Sequence, residues 1–149
     1  MSNDLTTTEL EEVKQIVCDE VDAIADILLE ASHAIHKKPE LNFEEHFAHE
    51  TLTGILEDQG LSPQRGAYDL ETAFEASVGD EGVCVAVLCE YDALPDIGHA
   101  CGHNIIGTAG LGAGIAASKV AGRLGGCLLY TSDAADEGLG VDLGGRRII

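Results

Sequence analysis

The residues best equipped for chemistry lie in one stretch, Glu90 to Asn104, which reads EYDALPDIGHACGHN. His99, Cys101 and His103 stand two apart. On an extended backbone that spacing brings all three side chains to one side. Imidazole nitrogen and thiolate sulfur are the first-choice ligands of zinc. Glu90, Asp92 and Asp96 add carboxylates, and Gly98 and Gly102 flank the cysteine where a tight turn would need them. Three such ligands within five positions cannot close a tetrahedral shell by themselves. The rest must come from elsewhere, or water must occupy an open position, which is the mark of a catalytic zinc. A lone His-x-Cys is more often an ordinary loop, but the whole cluster with its carboxylates favours a metal. A Cys101 nucleophile with a histidine base is the weaker alternative, because partners at i and i+2 seldom meet head-on.

Elements must hold this stretch in place. Val83 to Cys89 (VCVAVLC) is a nearly continuous apolar run and predicts a buried strand just ahead of it. Thr72 to Val78 alternates loosely, and Gly79-Asp80-Glu81-Gly82 lies between the two, so the pair predicts a hairpin. Beyond the stretch, Ile105 to about Val120 predicts a helix of small residues. Gly107, Gly110, Gly112 and Gly114 are costly there unless they permit close approach, in this case to the sheet. Upstream, Thr6 with Glu9 fits a capping box, as does Thr8 with Glu11. Leu10, Val13, Ile16, Val17, Val21, Ile24, Ile27 and Leu28 then keep a helical period toward His36, and Pro39 stops it. Asn42 with Glu45 predicts the start of a second helix, with Phe43, Phe47, Leu52, Ile55 and Leu56 on one face and Gly60 at its end. Helix, helix, strand, strand, helix is an α/β pattern. Ligands in such folds bind beyond the carboxyl ends of strands, near a helix N-terminus.

The remaining polar residues read more plainly. His33, His36, Lys37 and Lys38 end the first helix, where positive charge suits the dipole. His46 and His49 stand among acids and are expected in solvent, and Glu40, Glu44 and Glu45 read as cap and surface charges. Cys18, Cys84 and Cys89 lie in apolar-patterned segments and are expected as buried small hydrophobes. The chain has 149 residues, with 8 Lys+Arg against 27 Asp+Glu and a formal charge of −19. That balance argues against nucleic acid or an anionic membrane as partner. At 45% hydrophobic residues the chain is too apolar to be disordered. No stretch looks long enough to span a bilayer. The N-terminus has neither a basic start nor an apolar core, so a cytoplasmic protein is expected. Five cysteines, an odd number, argue against a disulfide framework.

From Cys127 the character changes. CLLYTSDAADEGLGVDLGGRRII keeps no helical period and only weak alternation, and offers no core face to the rest. Cys127 to Glu137 resembles the in-frame translation of the transposase end and read primer of tagmentation sequencing libraries. Val141 to Ile149 resembles the flow-cell adapter that follows them. Residues 1–126 are therefore expected to be natural sequence, the N-terminal part of something longer, and 127–149 a non-native tail. The acid excess does not depend on that tail, which holds four acids and two arginines. The alternative, a complete chain with its own Gly-rich end, fits a non-catalytic metal-binding or interaction module.

HACGHN (His99 to Asn104) with EYDALP (Glu90 to Pro95) resembles the aminoacylase and glutamate carboxypeptidase family of di-zinc metallopeptidases. The match is best to its amidohydrolase branch, that of aminobenzoyl-glutamate hydrolase and the β-alanyl-lysine type dipeptidases. HKKPELNFEEHFA (His36 to Ala48) and TAFEA (Thr72 to Ala76) resemble other signatures of that branch. The likeness runs from about Val21 to Ser118. It implies a zinc-exopeptidase-like catalytic domain with two divalent metal ions, zinc first, manganese or cobalt otherwise. It implies hydrolysis of amide or peptide bonds in dipeptides or N-acyl amino acids. Cys101 and His103 match the family's metal ligands, and Asp92 matches the aspartate that orients and supports the metal site in catalysis. Glu90 stands where related exopeptidases place a histidine ligand, a substitution typical of the branch. His99 matches a motif residue with no assigned ligand role. The family's catalytic glutamate, its further Glu and His ligands and its lid domain, through which members dimerise, have no match in this sequence. The fragment is accordingly expected to bind metal weakly and to turn over nothing measurable.

Overall fold

The computed structural model describes residues 6–79, 82–124 and 126–132. Three helices come first, α1 (Thr7–Ala23), α2 (Ala25–Lys37) and α3 (His46–Asp58). Strand β1 (Gln64–Arg65), a 3₁₀ turn (Ala67–Asp69), β2 (Phe74–Val78), β3 (Cys84–Cys89), α4 (His103–Leu124) and β4 (Cys127–Ser132) follow. The α/β reading holds, but the expected element order lacked one helix and two strands.

Thr6 caps α1 as its sequence requires. Its hydroxyl accepts from the Glu9 N–H at 3.3 Å, while the Glu9 carboxylate accepts from the Thr6 N–H at 2.8 Å. The helix then breaks at Ile24 (φ −107°, ψ 7°), so the single helix expected toward His36 is two. No Gly or Pro marks the break, and the apolar period runs straight through it. The bend lets both halves lie against α4.

Helix α3 ends on Gly60 at φ +81°. Gly60 N–H bonds the Glu57 carbonyl and Leu61 N–H bonds the Leu56 carbonyl, both at 2.9 Å, a closure that needs the left-handed residue. Its start corrects the Asn42–Glu45 expectation. Glu45 occupies the cap position but makes no side-chain cap bond. The Glu40 carboxylate caps instead, accepting from Phe47 N–H at 2.8 Å and Ala48 N–H at 3.0 Å, with its charge at the positive end of the helix. Phe43 stands outside α3 and is exposed.

The sheet runs β1-β2-β4-β3. β4 lies antiparallel to β2 and parallel to β3, so β3–α4–β4 is a βαβ unit. The expected hairpin of β2 with β3 does not form, because β4 separates them. The expectation that the segment from Cys127 has no core face is also overturned over its described part: Cys127–Ser132 is a central strand and Leu128 is buried. A central strand is held by backbone bonds on both edges, which any extended segment can supply, and that masks it in a weakly alternating sequence. Residues 133–149 lie outside the described residues. β3, expected to be buried, is an edge strand. Val83, Val85 and Leu88 are exposed and Cys89 is buried. Of the cysteines expected inside, Cys18 and Cys84 are exposed.

Helix α4 is the centre of the fold, packed by α1, α2, α3, β3 and β4. A Cβ at Gly107 would stand 3.0 Å from the Glu90 carbonyl, and one at Gly110 would overlap the Cys89 sulfur. The small residues thus serve the close approach to the sheet that they predict. At 22 residues α4 is long and apolar enough, by length and composition, to cross a membrane, against the expectation that no stretch is. Half of its most apolar window is buried inside the fold. Its own Leu111 and Ile115 form the fully buried core with Ile35, Leu52, Leu56 and Phe74.

Candidate functional site

β3 ends at Cys89, and Glu90–Asp92 carry the chain on toward the first residue of α4, His103. Between them the chain turns twice. Leu94 and Gly98 exchange backbone bonds of 2.9 and 3.0 Å, and Gly102 (φ +86°) donates to the His99 carbonyl at 3.0 Å. The backbone from His99 to His103 is therefore a turn, and the one-sided alignment of His99, Cys101 and His103 does not occur. That alignment needs an extended backbone. Instead His99 and His103 are buried and Cys101 is exposed.

His103 is gripped from both sides. Its Nδ1 lies 2.6 Å from Asp92 Oδ1 and 3.1 Å from the Asp92 carbonyl, and its Nε2 lies 3.2 Å from Glu90 Oε2. The acceptors at Asp92 require Nδ1 to carry the proton. Nε2 of the neutral ring then presents a lone pair to a carboxylate oxygen. A cation placed between that nitrogen and the Glu90 oxygen would be shared by both. A histidine whose Nδ1–H is held by a carboxylate while Nε2 stays available is the usual arrangement of a metal-ligating imidazole. With the Cys101 thiol two residues before it in the chain, the donors fit a divalent transition metal in kind. They do not complete a shell: among the described residues, no group of three or more His, Cys, Asp and Glu side chains is placed to hold a metal ion.

His99 turns elsewhere. Its ring stacks on His36 with centroids 6.2 Å apart and planes 30° from parallel, and neither ring nitrogen has a hydrogen-bond partner among the described residues. Burial, then the nearby His36 and His103, hold its pKa below the ordinary 6.5, against a smaller pull from the Ile35 backbone.

The segment before α3 forms the other wall. The Ala93 N–H donates to the Glu40 carbonyl at 2.7 Å, and Leu41 bridges Ala93. A cavity of about 330 Å³ opens between these walls, lined by Leu41, Asn42, Asp92, Ala93, Leu94, Pro95 and His103. Its lining is mostly apolar, with the buried Asp92 and His103 among it, as small-molecule sites commonly are.

Sequence reasoning missed the polar core behind the site. Glu45, read as a surface charge, is fully buried, and His49, expected in solvent, is buried too. Glu45 Oε2 accepts from the Thr72 hydroxyl at 2.7 Å, and Oε1 accepts from the Phe43 N–H at 2.8 Å. The Thr72 carbonyl accepts from His49 Nδ1 at 2.8 Å and from the Tyr91 hydroxyl. Phe74 packs edge-on to His49 and stacks on Tyr91. Burial pushes the Glu45 carboxyl above its ordinary range, the bonds from Thr72 and Phe43 oppose it, and Asp92 adds a smaller push upward. The signal that could have found Glu45 is the density of acids in PELNFEE just before an apolar helix, which a surface reading leaves unexplained.

No family profile matches the chain. Individual proteins do. It is 40% identical over 120 residues to Xaa-Arg dipeptidase of Mus musculus and 39% identical over 121 residues to that of Homo sapiens. These alignments cover 74% and 72% of this chain and 28% of each relative. It is 32% identical over 127 residues to a polypeptide of the p-aminobenzoyl-glutamate hydrolase of Escherichia coli, covering 74% of this chain and 26% of that one. In solved structures the fold matches a dinuclear metal-binding peptidase of the M20 family from Bacillus subtilis. The TM-score is 0.68 at 22% identity, over 76% of this chain and 36% of that one. An aminohydrolase structure from Staphylococcus aureus aligns with TM-score 0.70 at 17% identity, over 83% of this chain and 35% of that one. The architecture is thus part of an M20-type α/β peptidase domain. The chain is similar in sequence to these dipeptidases and hydrolases, and spans between a quarter and two-fifths of the length of the relatives it matches.

Proposed function

We propose that this chain forms part of the catalytic domain of a metal-dependent hydrolase that cleaves amide or peptide bonds in dipeptides or N-acyl amino acids. The observation that carries the reading is the His103 ring, held at Nδ1 by Asp92 and turned at Nε2 toward Glu90. In it Cys101 and His103 are metal ligands and Asp92 fixes the His103 tautomer. Glu90 supplies a carboxylate beside the ion, and His99 packs behind. Two divalent ions, zinc first, would polarise a scissile carbonyl and lower the pKa of bound water. The ligands and base that complete the centre lie outside the described residues. The cavity beside His103 seats the substrate, with Leu41, Leu94 and Pro95 against its apolar part and its amide near Asp92. Support for the substrate class comes from the relatives' names, a dipeptidase and an aminobenzoyl-glutamate hydrolase.

The test uses the full-length product of the gene. Hydrolysis of a dipeptide and N-acyl amino acid panel should vanish after exhaustive chelation and return with zinc, manganese or cobalt. Full activity in a preparation shown to be metal-free would overturn the reading.

A further inference from the structure

We infer that Glu45 is a positioning residue for the Glu90–His103–Asp92 centre, holding both walls of the site through one buried carboxylate. The inference rests on the metal reading of His103 for one of its two readouts, and on geometry alone for the other.

Glu45 is fully buried and has no ion-pair partner among the described residues, a placement that costs several kcal/mol for a charged group unless its oxygens are satisfied. Each oxygen is used, and each reaches a different wall. Through Oε1 it takes the Phe43 N–H. Phe43 is held at φ +66°, a left-handed conformation that a β-substituted residue adopts only when its surroundings impose it. That turn presents Leu41 and Asn42 to the cavity. Through Oε2 Glu45 takes the Thr72 hydroxyl. The Thr72 carbonyl in turn receives the Tyr91 hydroxyl, and Tyr91 is the residue between Glu90 and Asp92. On a strand end, neighbours point to opposite sides. Anchoring Tyr91 inward therefore faces Glu90 and Asp92 the other way, toward His103.

This gives a reason for a carboxylate to stand where an apolar side chain would fill the space more cheaply. An apolar residue would leave the Phe43 N–H and the Thr72 hydroxyl buried without acceptors. It would also release both walls at once.

The experiment uses the 149-residue chain, dilute, with cobalt(II) as the metal probe. Binding is followed by the part of the thiolate-to-cobalt absorption that Cys101→Ser removes, since Cys84 and Cys127 also lie close together. Long-range ¹H–¹⁵N spectra of the [¹⁵N]histidine-labelled, metal-free chain report the His103 tautomer. Glu45→Ala and Thr72→Val should each weaken cobalt binding, by about tenfold or more for Glu45→Ala, and should lower the Nδ1–H tautomer fraction of His103. Glu45→Gln, which keeps an acceptor for Phe43 and can donate to Thr72, should recover most of both. Ile115→Val, a core change away from the network, should lower the melting temperature and move neither readout. If Glu45→Ala does not fold, Thr72→Val alone decides, since it deletes one hydroxyl at nearly constant shape. Cobalt affinity within twofold of wild type together with an unchanged His103 tautomer, in a folded Glu45→Ala or Thr72→Val, overturns the inference. If the wild-type chain binds no cobalt, the His103 tautomer alone decides Glu45: an unchanged Nδ1–H fraction in a folded Glu45→Ala or Thr72→Val overturns the inference, and the metal reading is decided on the full-length product.

Discussion

Asp92 and His103 are buried and held together at 2.6 Å, and residue-scale predictions start there. Asp92→Asn replaces an acceptor by an amide that can present either face to Nδ1. The tautomer lock is lost, and affinity for a divalent ion at His103 should fall about 10- to 100-fold, measured by cobalt titration. Unchanged affinity would separate Asp92 from the metal. Glu45 makes a second prediction, in pH. Its folded-state carboxyl is raised above the ordinary 4.5, so the folded chain binds that proton more readily than the unfolded one. The stability tied to it is fully present below the unfolded value and is lost as pH rises through the folded one. Relative to Glu45→Gln, wild type should therefore gain melting temperature as pH is lowered from 7 toward 5. A gap that is flat or shrinks over that range contradicts it.

Among the elements, α4 does most of the positioning. It carries His103 at its first turn and lies close enough to β3 that Gly107 meets the Glu90 carbonyl and Gly110 meets Cys89. Gly110→Ala would gain helix propensity of about 1 kcal/mol in an open helix. Here the added methyl overlaps buried sulfur and forces α4 away from the strand, an overpacking cost of about 1–3 kcal/mol. The net expectation is destabilisation in chemical denaturation, with weaker metal binding as His103 moves off Glu90. Gly122→Ala, with open space around it, is the control and should be neutral or stabilising.

For the whole molecule, the edge position of β3 matters most. Val85 and Leu88, on opposite faces of this edge strand, and Val83 just before it stand in solvent, and Ile97 and Ile105 are exposed beside the site. An apolar edge strand is a template for pairing with other chains. The 149-residue chain should therefore elute with an apparent mass that rises with concentration, despite its charge of −19. A constant monomer mass would contradict this. The same scale bears on the segment from Cys127. Its described part pairs on both edges, but those bonds are backbone bonds and accept many sequences, so they do not speak for its origin. We propose that it is non-native. Long-read sequencing of the source locus should show the natural frame departing after Gly126, and a locus encoding CLLYTSDAADE would overturn that.

What could be read from the chain alone was local. The cap at Thr6, the left-handed Gly60 and the small residues of α4 all depend on neighbours a few positions away. So does the placement of EYDALP ahead of a helix at the end of a strand. Each such signal is carried by residue type and spacing. Tertiary structure decided the rest, because the deciding partner is remote in sequence. Glu45 and His49 look like surface residues until Thr72 is brought to them. β3 looks buried until β4 takes the other side of the ladder and leaves it at the edge. The motif itself divides along the same line. Its composition suggested a metal-type donor set with three side chains on one side, but which of His99, Cys101 and His103 are buried depended on the turn at Gly102 and on Asp92, eleven residues before His103. Backbone direction, not spacing, chose His103 as the centre.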